Sequence, residues 1–179
     1  MRNLLVVSRA IDGLSGAVAY VADWLVLLAC LVSAGNAVVR YLFSYSSNGL
    51  LEVQWYMFGA IVLLGASHTL KMNEHVRVDL VYSSVSERTQ MWIDVVGFCL
   101  FFLPVMAFFT WLSLPFFWQS FRNGEMSNNA GGLILWPAKV LLPLGFGILT
   151  LQGIAELIKR ILALHGDIQV DTKYVKPVQ

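Results

Sequence analysis

The chain has 179 residues, 58% hydrophobic and only 13% charged, with a formal net charge of +1 and a mean hydropathy of +0.68. Soluble domains carry about a quarter charged residues, so this composition excludes an ordinary water-soluble globule and implies that lipid solvates the exterior. The near-zero charge excludes nucleic acid as a partner, which calls for a basic surplus.

In chain order, the N-terminal segment carries Arg2 and Arg9 ahead of "AVA" at 17–19, a passable signal-peptidase sequence. Arg9 and Asp12 interrupt the apolar region such a signal needs, so an uncleaved N-terminus is expected. Four apolar runs follow, at about 17–39, 53–70, 91–117 and 133–158. At roughly 1.5 Å per residue each reaches across a hydrocarbon core of about 30 Å. The predicted fold is an all-α membrane protein with four transmembrane helices, forming one domain over 1–165, and a polar cytoplasmic tail at 166–179. Pro104, Pro115 and Pro143 predict kinks, and Pro137 suits a first helical turn. Between the second and third runs, Leu80, Val81, Tyr82 and Val85 suggest a short interfacial segment.

Lys and Arg set the orientation. Arg2, Arg9, Lys71, Arg77, Arg88, Lys159, Arg160, Lys173 and Lys176 fall on one side, and Arg40, Arg122 and Lys139 on the other. The positive-inside rule places the first group, and with it both termini, in the cytoplasm. Trp24, Trp55, Trp92, Trp118 and Trp136 fall near span ends, as interfacial belts do, while Trp111 lies deeper and is expected to pack.

The stretch "HTLKMNEHVRVDL", 68–80, gathers His68, Glu74, His75 and Asp79, residue types that ligate metals. These four come from one helix end and its loop, with no second cluster to complete a ligand set. The expectation is therefore no metal site, with Lys71, His75 and Arg77 beside headgroups and Glu74 and Asp79 paired to them or to a neighbouring subunit. No haem or other cofactor is expected, since a second axial histidine is lacking on a facing span. Cys30 and Cys99 form no CxxC pair and read as small buried packing residues.

Three helical stripes read as packing seams: Gly16, Ala19, Asp23, Cys30, Ala34 and Ala37; Glu52, Gly59 and Ala66; and Gly145, Gln152 and Glu156. At the outer surface, Arg40, Glu52 and Lys139 are expected to form an ion-paired layer. At the inner surface, Asp23, His68, Asp94 and Glu156 are expected to pair with Lys71, Lys159 or Arg160. Asp23 is placed well toward the cytoplasmic side, leaving the midplane apolar.

Two longer stretches carry a family resemblance. "LEVQWYMFGAIVLLGASHTLKMNEHVRVDL" opens with Glu52, has Gly65 and Ala66 near the helix end, and closes on His75, Arg77 and Asp79. "GGLILWPAKVLLPLGFGILTLQGIAELIK" holds Trp136, Pro137, Lys139, Pro143, Gln152 and Glu156. In order and spacing the chain resembles the small membrane subunit, DctQ-like, of tripartite ATP-independent periplasmic (TRAP) transporters, over nearly its whole length to about residue 163. The resemblance implies a non-catalytic protein of the bacterial inner membrane, partnered by a large multi-span subunit that carries substrate and sodium sites. A periplasmic binding protein would deliver an organic anion. The small subunit would brace the large subunit's immobile scaffold. Arg40, Glu52, Arg122, Glu125 and Lys139 would face the periplasmic partner, and Asp23, His68, Lys71, His75, Arg77, Asp79 and Glu156 would meet the large subunit or lipid.

Two other readings make distinct demands. A quinone-linked redox subunit requires paired intramembrane histidines or redox cysteines. A self-sufficient homo-oligomeric transporter requires an essential charge near the midplane, for which Asp23 is the nearest candidate.

Overall fold

The computed structural model describes residues 2–45, 47–73 and 85–166. Helix α1 runs Arg2–Phe43, α2 Asn48–Met72, α3 Glu87–Gly97, α4 Leu103–Asn123 and α5 Trp136–Leu164. A π-helical turn at Phe98–Phe102 joins α3 to α4, so these make one continuous hydrophobic element. The result is four helices long and apolar enough to cross a membrane. Among the described residues the extended pairing is one isolated bridge, Met126 with Ile134. One end of the bundle holds the start of α1 and the close of α5 and is called here the termini end. The other holds 44–45, 47 and 124–135 and is called the loop end. Glu74, His75, Arg77, Asp79, the 80–82 part of the expected interfacial segment and the 167–179 tail lie outside the described residues.

Helix α5 is central, packing against α1, α2 and both halves of the third span. Its small residues allow this. A Cβ added at Gly145 would lie 2.7 Å from Leu63 Cβ, and one at Gly153 would lie 2.5 Å from the Phe102 ring. The missing side chains therefore set the approach of α2 and admit Phe102 from the π turn. That turn immediately precedes Pro104, which has no N–H to donate. Here the Leu103 N–H reaches Phe98 O, five residues back, so the turn is widened beside the proline ring. Pro137 occupies the first turn of α5, as expected.

The seam along α1 differs from the one read in the sequence. Ser8, Ser15, Ala22, Ala29 and Asn36 are buried at seven-residue intervals, with Ala19 beside them. Cys30, Ala34 and Ala37 face outward. A strict seven-residue repeat keeps one narrow stripe against its neighbours in left-handed packing. This stripe starts at Ser8, ahead of the expected span, which is why a reading confined to 17–39 settled on adjacent residues. In α2 the seam likewise runs through Ala60 and Ser67 rather than Gly59 and Ala66, whereas Gly145, Gln152 and Glu156 on α5 are buried as expected. Cys30 and Cys99 are exposed, and Trp111 lies on the bundle surface at 72% exposure, contrary to their expected packing roles.

With α1 beginning at Arg2, Trp24 lies near the middle of a 42-residue helix instead of at a span end. Aromatic residues do gather at the loop end. The Phe121 ring meets Trp136 edge-on at 5.5 Å and stacks with Trp118 at 6.0 Å, and the Arg122 guanidinium lies 5.2 Å over Trp118. Gly124, at φ 55°, ends α4 in the left-handed conformation that glycine adopts without strain.

Candidate functional site

The polar residues form two assemblies, one at each end. At the termini end, Ser15 Oγ donates to Gln152 Oε1 at 2.7 Å. Gln152 Nε2 donates to Asp12 Oδ1 at 2.9 Å and to Glu156 Oε1 at 3.0 Å. Lys159 pairs with Asp12 at 3.2 Å and with Glu156. Arg160 donates through Nε to Asp94 Oδ2 and through Nη1 to Glu156 Oε2, both at 2.8 Å, and its guanidinium lies 4.9 Å over the Phe98 ring. Lys71 Nζ donates to the carbonyl of Asp12 at 3.1 Å.

Every spanning element contributes to this cluster: α1 through Asp12 and Ser15, α2 through Lys71, α3 through Asp94, and α5 through the rest. Its three carboxylates match its three cations, and each of the six charged groups has a partner. Gln152 is fully buried, and Glu156 and Arg160 are nearly so. Buried ions persist when such pairing is complete, and removing one partner costs about 3–5 kcal/mol. The arrangement suits locking helices together, because none of its charges is left facing a path through the bundle.

At the loop end, Glu52 of α2 organises the connection between α4 and α5. Its Oε1 accepts from Ser127 Oγ and from Asn129 Nδ2 at 2.7 Å. Its Oε2 accepts the Leu133 backbone N–H at 2.6 Å. Asn48 Nδ2 reaches Ala130 O at 2.8 Å and the Tyr56 hydroxyl reaches Ile134 O at 3.2 Å. Within the connection, Ser127 N donates to Leu133 O and Leu135 N to Glu125 O, each at 2.8 Å, closing a short hairpin. Glu125 pairs with Lys139 of α5. That hydrogen bond from the ammonium is the main reason the Glu125 carboxyl is held below its usual range, against an opposing desolvation cost.

The expected layer of Arg40, Glu52 and Lys139 therefore does not form. Glu52 takes neutral donors from the loop and Lys139 takes Glu125. Arg40 stands on the exposed side of α1 in a groove with Asn36 and Gln54. The physical reason is proximity along the chain fold: the connection folds back over the start of α2 and fills the carboxylate's lone pairs before a distant guanidinium reaches it.

The inner-surface expectation divides similarly. Asp94 and Glu156 pair with Arg160 and Lys159 as anticipated, and Lys71 takes a carbonyl. Asp23 and His68 join no pair among the described residues. They line a separate groove between α1 and α2 with Ile61, Val62 and Gly65, and His68 Nδ1 is buried without a hydrogen-bond partner. Asp23 is eleven residues beyond Asp12 on α1, about 16 Å at roughly 1.5 Å per residue. It sits against the second half of α2, in the groove that runs from Ile61 to His68. Asp12, Ser15, Ser127 and Asn129 were missed as site residues. Asp12 had a usable signal, a carboxylate on the seven-residue Ser8–Ser15 face, whereas nothing local marks Ser127 or Asn129 as partners of Glu52.

A family model described as "Tripartite ATP-independent periplasmic transporters, DctQ component" matches residues 29–163, well over half of the chain. The chain belongs to this family. No curated protein and no solved structure matches it. The DctQ match includes Glu52, the 124–135 hairpin and the whole α5 half of the termini-end cluster. It begins after Asp12 and Ser15, so the α1 half of that cluster lies outside the matched region. DctQ proteins are membrane components of tripartite transporters that also have a large membrane subunit and a binding protein, which agrees with the four membrane-crossing helices. Among the described residues no group of three His, Cys, Asp or Glu side chains is arranged to hold a metal ion.

Proposed function

We propose that this DctQ chain is the non-catalytic small subunit of a sodium-coupled, binding-protein-dependent transporter for an organic anion in the bacterial inner membrane. Its task is to brace the immobile part of the large subunit. The observation that carries this reading is the termini-end cluster, in which Asp12, Lys71, Asp94, Glu156, Lys159 and Arg160 tie all four spans together with charges fully matched. Such a bundle resists internal rearrangement, as a scaffold must, while the substrate-moving parts belong to another chain.

The orientation follows the Lys and Arg distribution, with the termini end in the cytoplasm and the loop end in the periplasm. The Glu52-anchored hairpin with Arg122, Glu125 and Lys139 is then the surface offered to the binding protein. The groove holding Asp23 and His68 is the face offered to the large subunit. A carboxylate with no partner among the described residues is costly against lipid tails, and a polar group from a partner helix removes the cost. Arg77, His75 and Asp79 contribute at the cytoplasmic edge, beside headgroups or the large subunit.

The placement of Asp23 in a groove, with no partner among the described residues, also favours one alternative, a self-sufficient homo-oligomeric transporter with Asp23 as its coupling group. Co-purification separates the readings. A scaffold subunit isolates as a stoichiometric complex with a co-expressed large subunit, and Asp23→Arg weakens that complex. Isolation as a homo-oligomer that excludes the large subunit supports the alternative.

A further inference from the structure

The groove at the loop end of α1 and α2 has a composition that neither assembly explains. Ser33, Asn36, Arg40 and Tyr41 of α1 face Gln54 of α2 across an open volume of about 540 Å³. Asn36 and Gln54 are each only 9% exposed. Even so, Asn36 Oδ1 and Gln54 Nε2 both lack hydrogen-bond partners. Arg40 has no ion pair or hydrogen bond among the described residues, although carboxylates are available elsewhere at this end. One groove thus combines an unpaired cation, an orphaned buried donor and an orphaned buried acceptor.

Leaving such groups unmade is expensive. Each buried orphan has given up water without a replacement partner, so a ligand that satisfies both has a built-in driving force. The ligand must be anionic to meet Arg40, must accept from Gln54 Nε2, and must donate to Asn36 Oδ1. A bare carboxylate meets the first two demands and fails the third. A phosphodiester bearing a hydroxyl or ammonium group meets all three. The surroundings supply the rest of the recognition: Ala37 and Leu51 are the apolar lining of the groove, and Tyr41 and Tyr45 are exposed at the helix end, where amphipathic rings mark the membrane interface.

We propose that this groove binds the headgroup of a phospholipid in the leaflet at the loop end. Its phosphate lies against Arg40 and Gln54, its hydroxyl or ammonium donor against Asn36 Oδ1, and its acyl chains along the apolar faces of α1 and α2. The proposal requires that the chain is a membrane protein and does not depend on which partner the chain braces.

The test is native mass spectrometry of the full-length chain released from detergent with phosphatidylglycerol, phosphatidylethanolamine or phosphatidylcholine. Soluble glycerol phosphate is added in a separate arm. The expected result is one retained phosphatidylglycerol or phosphatidylethanolamine per chain. Phosphatidylcholine, whose headgroup has no donor, should be held several-fold less well. Arg40→Gln should lower occupancy about fivefold, Arg40→Lys should retain most of it, and Asn36→Leu should abolish the discrimination against phosphatidylcholine. Circular dichroism and elution volume establish that each variant is folded. Equal adducts in wild type and Arg40→Gln would overturn the proposal. So would displacement of the lipid by glycerol phosphate at matched concentration, which would identify a site for free phosphate compounds instead.

Discussion

The Glu52 carboxylate accepts the backbone N–H of Leu133 at 2.6 Å, joining residues 81 positions apart in the chain. With Ser127 and Asn129 also donating to it, one side chain at the start of α2 fixes the whole α4–α5 connection. Glu52→Ala should therefore free that hairpin, because all three hydrogen bonds to the carboxylate are lost together. Hydrogen exchange over 124–135 should quicken while the helical cores stay protected. Unchanged exchange in the hairpin would show that Glu52 does not hold it.

Removing Arg160 alone should be worse than removing it together with the charges of both its acidic partners. Arg160→Ala leaves Asp94 and Glu156 without their guanidinium in a buried setting, an expected loss of about 3–5 kcal/mol. Arg160→Met with Asp94→Asn and Glu156→Gln removes charge on both sides and should recover much of the thermal stability in detergent. Additive losses across the three substitutions would mean that these residues act independently.

Gly145 meets α2 without a side chain between them. Gly145→Ala places a methyl group 2.7 Å from Leu63 Cβ and 3.0 Å from the Leu63 carbonyl oxygen. The helices must separate, and a destabilisation of about 1–3 kcal/mol is expected. Gly59→Ala, where the added Cβ meets nothing within 4 Å, is the control and should melt like the parent. Equal melting temperatures for the two variants would contradict the close α2–α5 packing.

The pairing of Glu125 with Lys139 gives the loop end a defined acid response. The Glu125 carboxyl is lowered from its ordinary value of 4.5. Its contribution to stability is thus fully present above that value and is lost as pH falls through the lower, folded-state value. Hydrogen exchange of the hairpin, followed from neutral pH into the acid range, should show protection declining only below the ordinary carboxylate range. Glu125→Gln should remove this part of the decline.

Helix number, the all-α class and the α5 seam were legible because long apolar runs and small residues at helical spacing report directly on lipid and helix neighbours. The family was legible because Glu52, the Trp136–Pro137 start and the Gln152–Glu156 pair keep a recognisable order. The partners of each charge were not. Glu52 and Arg40 are both charges at helix ends, and sequence says nothing of a Ser127–Asn129 turn folding back to take the carboxylate first. The α1 seam was missed for a different reason: the polar residues before 17 concealed the buried Ser8 and Ser15 from which the seven-residue stripe starts.

The central claim is that this chain braces a transporter without transporting by itself. Sodium-driven uptake of the substrate into proteoliposomes measures it most directly, comparing this chain alone, the co-expressed large subunit alone, and both, each with the binding protein present. The account predicts no uptake from this chain alone, full uptake only from the pair, and loss of uptake with Arg160→Ala in proportion to lost complex. Substrate uptake by this chain in the absence of the large subunit would contradict it.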